Sequence, residues 1–112
     1  MRILDLIPDG KDNAISRKSL VQLADFHHLI PDDQKDKDRY VRKLIAEARE
    51  DNVIICRPRG GYYVPTIDDV SELAEYVAQE RSRAIAIHET IRHADRVLQD
   101  MLCGRLKKVE RR

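Results

Sequence analysis

Apolar side chains in the first half of the chain recur every three or four positions over two stretches. The first set comprises Leu20, Leu23 and Ala24, and the second comprises Val41, Leu44, Ile45 and Ala48. This spacing places each set on one face of a helix, and it predicts amphipathic helices over residues 17–27 and 36–51. Ser16 is the predicted N-cap of the first helix and Asp33 or Asp36 that of the second, because short polar side chains accept the free N–H groups of a first turn.

Two short runs after the second helix are rich in β-branched and aromatic residues, which are typical of strands. Residues 53–56 (VIIC) and 62–65 (YYVP) are the predicted strands, and residues 57–61 (RPRGG) are the turn between them. Together they predict a β-hairpin. Ahead of the first helix, residues 2–7 predict one or two helical turns that end at a proline, and residues 14–15 predict a short extended segment.

A third pattern begins after Thr66 and contains no helix breaker up to Gly104. Apolar residues there alternate between three- and four-residue steps, at Val70, Leu73, Val77, Ala84, Ile87, Ile91, Ala94, Leu98 and Met101. Only Glu80 interrupts this series, which is close to a coiled-coil seam. We expect one helix over residues 67–103, roughly 55 Å long at a rise of about 1.5 Å per residue.

This helix carries more apolar surface than the rest of so small a protein can cover. Its first turns, with Val70, Leu73 and Val77, are expected to cover the hairpin. Beyond them, pairing with a second copy is favoured over exposure, because exposed apolar surface costs about 25 cal/mol per Å². We therefore expect a homodimer, with helices either parallel or antiparallel, and a different partner protein is the alternative. The predicted dimer seam comprises Val77, Ala84, Ile87, Ile91, Ala94, Leu98 and Met101.

These elements define a mainly α protein with a small β-hairpin. Its 112 residues suit one compact domain plus an appendage. Residues 1–66 are the predicted domain, residues 67–103 the long amphipathic helix and residues 104–112 a basic flexible tail. Cys56 and Cys103 are too few for a disulfide scaffold and are interpreted as free thiols. No apolar run approaches the roughly 20 residues of a membrane span, so a cytoplasmic protein is expected.

The net charge of +1 is low for a protein that binds nucleic acid. However, the basic and acidic residues are unevenly distributed along the chain. Residues 35–49 contain six basic and three acidic side chains. Cations of the second helix and the hairpin turn form the predicted DNA-binding surface: Lys35, Arg39, Arg42, Lys43, Arg57 and Arg59. A helix fits the major groove of DNA, and an arginine can donate two hydrogen bonds to a phosphate or a guanine edge.

Three motifs in this region resemble one known family. In chain order they are IS-x3-L-x2-LA, then DRYVRKLI-x2-AR, which contains the rhythm R-x-V-R-x2-I, and then RGGYYV. They resemble the winged helix-turn-helix modules of biotin-operon-repressor-type bacterial regulators, and the resemblance covers residues 2–65. It implies that residues 17–27 are the first helix of the helix-turn-helix, residues 36–51 the recognition helix and residues 57–62 the wing. Small phage-borne or prophage-borne proteins with a long helix behind such a wing are similar as well.

The connection between the two helices, HHLIPDDQKD, is longer than the three or four residues usual in a helix-turn-helix. Together with the start of the second helix it brings four carboxylates toward the predicted DNA phosphates: those of Asp32, Asp33, Asp36 and Asp38. Because like charges repel, these residues are expected to weaken binding.

The remaining reactive residue types form no recognisable metal or catalytic site. His88 and His93 are five positions apart, whereas a pair of metal ligands on a helix is normally four apart. His27 and His28 are interpreted as surface residues. The sequence contains no nucleophile elbow, phosphate-binding loop or dinucleotide fingerprint. We therefore expect no enzyme activity, no metal and no cofactor.

Two functions fit these observations. In the first, the protein is a dimeric transcriptional regulator or phage-type accessory protein that binds double-stranded DNA through the second helix and the wing. In the second, the winged domain is only a scaffold and the long helix docks a partner protein, which the near-neutral charge favours. Folds of this kind serve both purposes, so the fold alone does not decide between them.

Overall fold

The structure is a computed structural model that describes residues 1–109. Within them it contains the helices α1 (Arg17–Phe26), α2 (Lys37–Ala48) and α3 (Val70–Leu102), and the strands β1 (Ile55–Arg57) and β2 (Gly61–Tyr63). Short 3-10 helices cover Ile3–Leu6, Lys11–Asn13 and Ile67–Asp69. The prediction of a mainly α protein with a small β-hairpin and a long C-terminal helix is confirmed.

The first two helices begin where the sequence predicts, because their N-cap side chains accept first-turn N–H groups. Ser16 Oγ accepts a hydrogen bond from Ser19 N at 3.2 Å. Asp36 Oδ1 accepts one from Arg39 N at 2.9 Å, which makes Asp36 rather than Asp33 the cap of α2. Both starting points are therefore fixed by contacts three residues apart.

Both helices end slightly earlier than predicted. After α1, His28 adopts a left-handed conformation with a φ of 59°, and Leu29 N donates to Ala24 O at 2.9 Å, which closes the helix. After α2, the side chain of Asn52 donates to Ala48 O at 2.9 Å. These bonds satisfy carbonyl groups that a continuing helix would otherwise pair.

The hairpin strands lie slightly offset from the predicted ranges of 53–56 and 62–65. β1 and β2 pair antiparallel, with Ile55 opposite Tyr63 and Arg57 opposite Gly61. Side chains alternate between the two faces of a strand, so Ile55, Arg57 and Tyr63 share one face of the hairpin. Tyr62, on the opposite face, belongs to the core.

The predicted extended segment at residues 14–15 is a third backbone partner of the hairpin. Ile15 N donates to Tyr62 O at 3.0 Å, and Tyr62 N donates to Ile15 O at 2.7 Å. Gly61 makes this approach possible, since it has a φ of 89° and a Cβ there would collide with the carbonyl oxygen of Ile15. The hairpin is thereby fixed to the residue that precedes the N-cap of α1.

An aliphatic core holds the first helices and the hairpin together. Its buried members are Ile3, Ile7, Leu20, Ala24, Ile30, Val41, Ile45, Ile54 and Tyr62. Leu44 and Ala48 of the predicted stripe pack against it, whereas Leu23 is 37% exposed. The core therefore lies between one face of α1, one face of α2 and one face of the hairpin.

Contacts divide the chain into two units, Met1–Ala74 and Glu75–Arg112, and the boundary falls inside α3. Near the start of α3, Leu73 lines a shallow depression with Val53 and Val64, which lie just outside the hairpin strands. Val70, which the sequence pattern places against the hairpin, is 54% exposed. None of the helices within residues 1–109 combines the length and apolar composition needed to cross a membrane.

Candidate nucleic-acid interface

Helix α2 buries one side and exposes cations on the other. Val41 and Ile45 are fully or almost fully buried in the core. Arg39, Arg42 and Lys43 are exposed, and at 100° per residue they project from the side opposite the buried stripe. The structure therefore brings these three predicted residues together on one outward face. Lys35, which is also exposed, lies just before the N-cap of this helix.

An acidic residue of α2 bridges two arginines beside this face. Asp38 Oδ1 lies 2.8 Å from Arg17 Nε, and Asp38 Oδ2 lies 3.1 Å from Arg42 Nε. All three side chains are about half exposed. Asp38 is thus shared between two cations, and the cluster keeps one net positive charge. The predicted repulsion of DNA phosphates by Asp38 is correspondingly reduced.

Sequence reasoning missed Arg17 because its partner lies 21 positions away. The Asp38–Arg42 spacing of four residues is readable as a helical ion pair, but the contact between α1 and α2 is not. The guanidinium of Arg17 also lies near the hydroxyl group of Tyr62 in β2. Burial raises the pKa of the Tyr62 phenol, and the nearby guanidinium of Arg17 opposes that rise. Arg17 of α1 therefore pairs with α2 and lies close to the hairpin.

Three of the predicted DNA-binding residues in or next to α2 have no ion-pair partner among residues 1–109. They are Lys35, Arg39 and Lys43. Lys37, by contrast, is paired with Asp25 at 2.9 Å. The set Arg17, Arg39, Arg42 and Lys43 is called the basic surface below. Unpaired, exposed cations on a helix face are available to a phosphate or to a base edge.

The two hairpin arginines are exposed, but Arg57 lies away from the basic surface. It shares the hairpin face of Tyr63, opposite the face that packs on α1 and α2. On that side Lys11 Nζ donates to Glu72 Oε1 at 2.6 Å, which raises the pKa of Lys11, and the positive charge of Arg57 opposes the rise. The predicted six-residue surface is therefore not continuous through Arg57. Arg59 lies in the turn between the strands.

The second unit exposes the predicted apolar seam of α3. Ile87 is 54% exposed, Ile91 is 58% exposed and Leu98 is 50% exposed, while Met101 is partly buried. The alanines of the seam, Ala84 and Ala94, are exposed as well. Exposed apolar residues that share one helix face are a feature of many interaction surfaces.

The first residues of the predicted flexible tail form the cap at the C-terminal end of helix α3. Gly104 has a φ of 75°, and Arg105 N donates to Asp100 O at 2.9 Å. The guanidinium of Arg105 also pairs with the Asp100 carboxylate at 2.9 Å, and Leu106 is partly buried. Of the predicted tail, residues 104–112, the last three lie outside the described residues.

Metal-ligating side chains do not cluster within residues 1–109, where no group of three His, Cys, Asp or Glu residues is placed to hold an ion. Cys56 and Cys103 are free and exposed. Within residues 1–109, the basic surface and the exposed stripe of α3 are the candidate functional features. No protein-family model matches the chain, and neither does any curated protein or solved structure.

Proposed function

We propose that the protein binds double-stranded DNA as a homodimer, with the basic surface of each copy on the DNA. The observation that carries the proposal is the division of α2 into a buried side and a cationic side. Val41 and Ile45 hold the helix in the core, so Arg39 and Lys43 are presented outward on a rigid element. A rigid helix with exposed cations suits the major groove, which admits one α-helix.

Binding in this arrangement has two components. Arg39 and Lys43, which have no ion-pair partner among residues 1–109, neutralise phosphates and release counterions, and this supplies sequence-independent affinity. Arg42 is oriented by its ion pair with Asp38, and a guanidinium held in one orientation is suited to a guanine edge. Arg17 pairs with the same carboxylate, so the negative charge of Asp38 is partly neutralised before a phosphate approaches.

Dimerisation through α3 supplies the second part of the proposal. Exposed side chains such as Ile87, Ile91 and Leu98 bury their apolar surface when two copies pair. Two linked basic surfaces bind one duplex with greater avidity than either does alone. A protein of this kind acts in the cytoplasm as a transcriptional regulator or as an accessory protein of phage type, where its free thiols stay reduced.

The proposal is tested with a double variant, Arg39→Ala with Lys43→Ala, in a mobility-shift assay at several salt concentrations. Removing two phosphate-binding cations lowers the slope of log affinity against log salt by about 2 per copy and weakens binding at least about tenfold. The matched control is Arg2→Ala with Lys107→Ala, which removes two exposed cations elsewhere. Equal weakening in both double variants, or no shift of wild type at low salt, contradicts the proposal.

Single substitutions distinguish the contributions of the two hairpin arginines to DNA binding. Arg59→Ala is expected to weaken binding, since Arg59 lies at the tip of the turn. Arg57→Ala is expected to have the smaller effect, because Arg57 lies on the hairpin face opposite the helices. The reverse order of the two effects would mean that the face with Lys11 and Tyr63 contacts the DNA instead.

A protein-interaction adaptor is the second candidate, and one observation favours it. Asp38 partly neutralises both Arg17 and Arg42, and the whole chain carries a net charge of only +1. In that case α3 docks a partner protein and the first unit is a scaffold. Wild-type protein that is dimeric or complexed but gives no mobility shift at low salt supports this candidate over DNA binding.

A further inference from the structure

The apolar stripe of α3 in the second unit has the heptad pattern of a coiled coil. Its a and d positions are Val77, Glu80, Ala84, Ile87, Ile91, Ala94, Leu98 and Met101. Two copies of such a helix can pair parallel or antiparallel. The residues that distinguish the two orientations are Glu80, which is the charged member of the seam, and the charged residues that flank the seam at e and g positions.

Parallel, in-register pairing sets each seam residue against the same residue of the second copy. Glu80 then faces Glu80, which places two carboxylates of like charge in one layer of the interface. The flanking positions provide no opposite charges to compensate, because Arg83 approaches His88 and Thr90 approaches Asp95 of the other helix. The parallel orientation therefore has one repulsive layer and no attractive ion pair.

Antiparallel pairing sets a positions against d positions. The register that uses the whole stripe gives four pairs: Val77 with Met101, Glu80 with Leu98, Ala84 with Ala94, and Ile87 with Ile91. Each pair occurs twice in the symmetric dimer. The carboxylates of the two copies are far apart in this register, and Glu80 keeps its ion pair with Arg83 of its own helix at 3.2 Å.

The same register brings together two oppositely charged residues at e positions, Arg81 and Asp95. The residues three and four positions from Arg81 on its own helix are Val77, Ala78, Ala84 and Ile85. No acid of the same helix face is therefore available to Arg81. Neither Arg81 nor Asp95 takes part in an ion pair within the part of the chain that the structure describes.

Registers shifted by one heptad lose this complementarity. A shift in one direction sets Arg81 against His88 and sets Leu98 and Met101 against Leu73 and Val70, of which Leu73 already lines a depression with Val53 and Val64. A shift in the other direction sets His88 against Asp95 and leaves Val77 without one. The pairing of Arg81 with Asp95 thus selects the register that also uses the stripe from Val77 to Met101.

We infer that α3 pairs antiparallel with a second copy of itself, with Ala84 opposite Ala94 and Arg81 opposite Asp95. The inference rests on the proposed function, which requires a dimer but does not specify the orientation. The partner is a second copy of this chain because the charges of the stripe are complementary to the same stripe reversed.

Disulfide trapping tests the orientation in the full chain. Cys56→Ser and Cys103→Ser remove the two exposed native thiols, and Ala84→Cys and Ala94→Cys are then made in separate proteins. A mixture of the two proteins is expected to form a covalent dimer under mild oxidation, whereas each protein alone is not. A disulfide in the Ala84→Cys protein alone means parallel pairing and overturns the inference.

Sedimentation of the same proteins separates failure of the inference from failure of the proposed function. A monomeric wild-type protein refutes the dimer itself, and with it both statements. A dimer that forms no disulfide in the mixture refutes this register while leaving the dimer intact. A complex that appears only with another protein supports the adaptor and overturns the inference.

Charge reversal tests the register without new thiols. Arg81→Asp and Asp95→Arg each turn two attractive pairs into two repulsive ones, and each is expected to weaken self-association about tenfold. An equimolar mixture of the two variants restores opposite charges at both pairs and is expected to recover dimerisation near the wild-type level. Parallel pairing predicts no such recovery, since Arg81 then faces Tyr76 and Asp95 faces Thr90.

Discussion

Gly61 allows the hairpin to lie against the segment that leads into α1, and Gly61→Ala is the sharpest test of this packing. Two effects oppose an alanine there. The φ of 89° is unfavourable for any residue with a Cβ, and the added atom would collide with the carbonyl of Ile15 and lie 2.8 Å from Ser16 N. Backbone atoms cannot move aside as a flexible side chain does, so the strand pairing must open.

The cost follows from these contacts. A non-glycine residue in the left-handed region costs about 1–2 kcal/mol. Opening the pairing also removes the two hydrogen bonds between Ile15 and Tyr62, and each contributes roughly 0.5–1.5 kcal/mol. We expect Gly61→Ala to lower the free energy of unfolding by about 3 kcal/mol, a large fraction of the stability of a small domain.

Two other glycines provide matched controls. Gly10 has a φ of 86°, but the nearest atom to an added Cβ is 3.9 Å away. Gly10→Ala therefore tests the backbone penalty alone, and it is expected to lower the free energy of unfolding by about 1–2 kcal/mol. Gly60 is not in the left-handed region, and its nearest neighbour is the Arg57 side chain at 3.3 Å, so Gly60→Ala is expected to cost less than about 1 kcal/mol. Urea unfolding followed by circular dichroism measures all three. Equal costs for Gly61→Ala and Gly10→Ala would refute the proposed contact with Ile15.

Three further predictions concern stability. His28→Gly is expected to stabilise the protein by about 0.5–1 kcal/mol in thermal unfolding, because His28 has a φ of 59°, which glycine adopts more readily than histidine. The control is His27→Gly, which is expected to destabilise the protein because His27 has a φ of −87°. Tyr63→Phe is expected to raise the unfolding free energy by about 1 kcal/mol in urea, because the buried Tyr63 hydroxyl has no partner among the described residues; a loss of stability would indicate a bound water. The hydrogen bond from Lys11 lowers the pKa of Glu72 below 4.5, so the stability that this pair contributes is present above that pH and is lost as the pH falls through the lowered pKa. Lys11→Met should therefore flatten the decline of Tm between about pH 5 and about pH 3, and an unchanged decline would contradict this assignment.

The parts of the fold that depend on near neighbours could be predicted from the sequence. The N-caps Ser16 and Asp36 bond to residues three positions away, and the stripe of α2 repeats every three or four positions. The hairpin boundaries were less accurate, because they depend on where Ile15 pairs with Tyr62 and on the left-handed Gly61. Both are set by tertiary contact, which no local pattern encodes.

The candidate site was predictable on one helix and not beyond it. Helical periodicity alone places Arg39 and Lys43 on the outward face of α2. The side of the hairpin on which Arg57 lies depends on strand register, and a shift of one residue exchanges the two faces. The contact of Arg17 with Asp38 depends on how α1 and α2 cross, so the sequence predicted that Asp38 repels DNA phosphates, whereas in the structure two arginines share its carboxylate.

The two proposed surfaces depend on one another for a quantitative reason. The basic surface of one copy has four cations and the shared carboxylate of Asp38, so it neutralises about three phosphates. This corresponds to a salt slope of about 3 for one copy and about 5 for two copies on one duplex. In the proposed mode of binding, a single copy would therefore bind weakly at physiological salt, and pairing through the α3 stripe would be needed for tight binding to DNA. Ile91→Asp places a charge in the seam and leaves the basic surface intact. This variant should accordingly reduce both self-association and the slope of log affinity against log salt. Loss of the dimer with an unchanged slope would show that the two surfaces act separately.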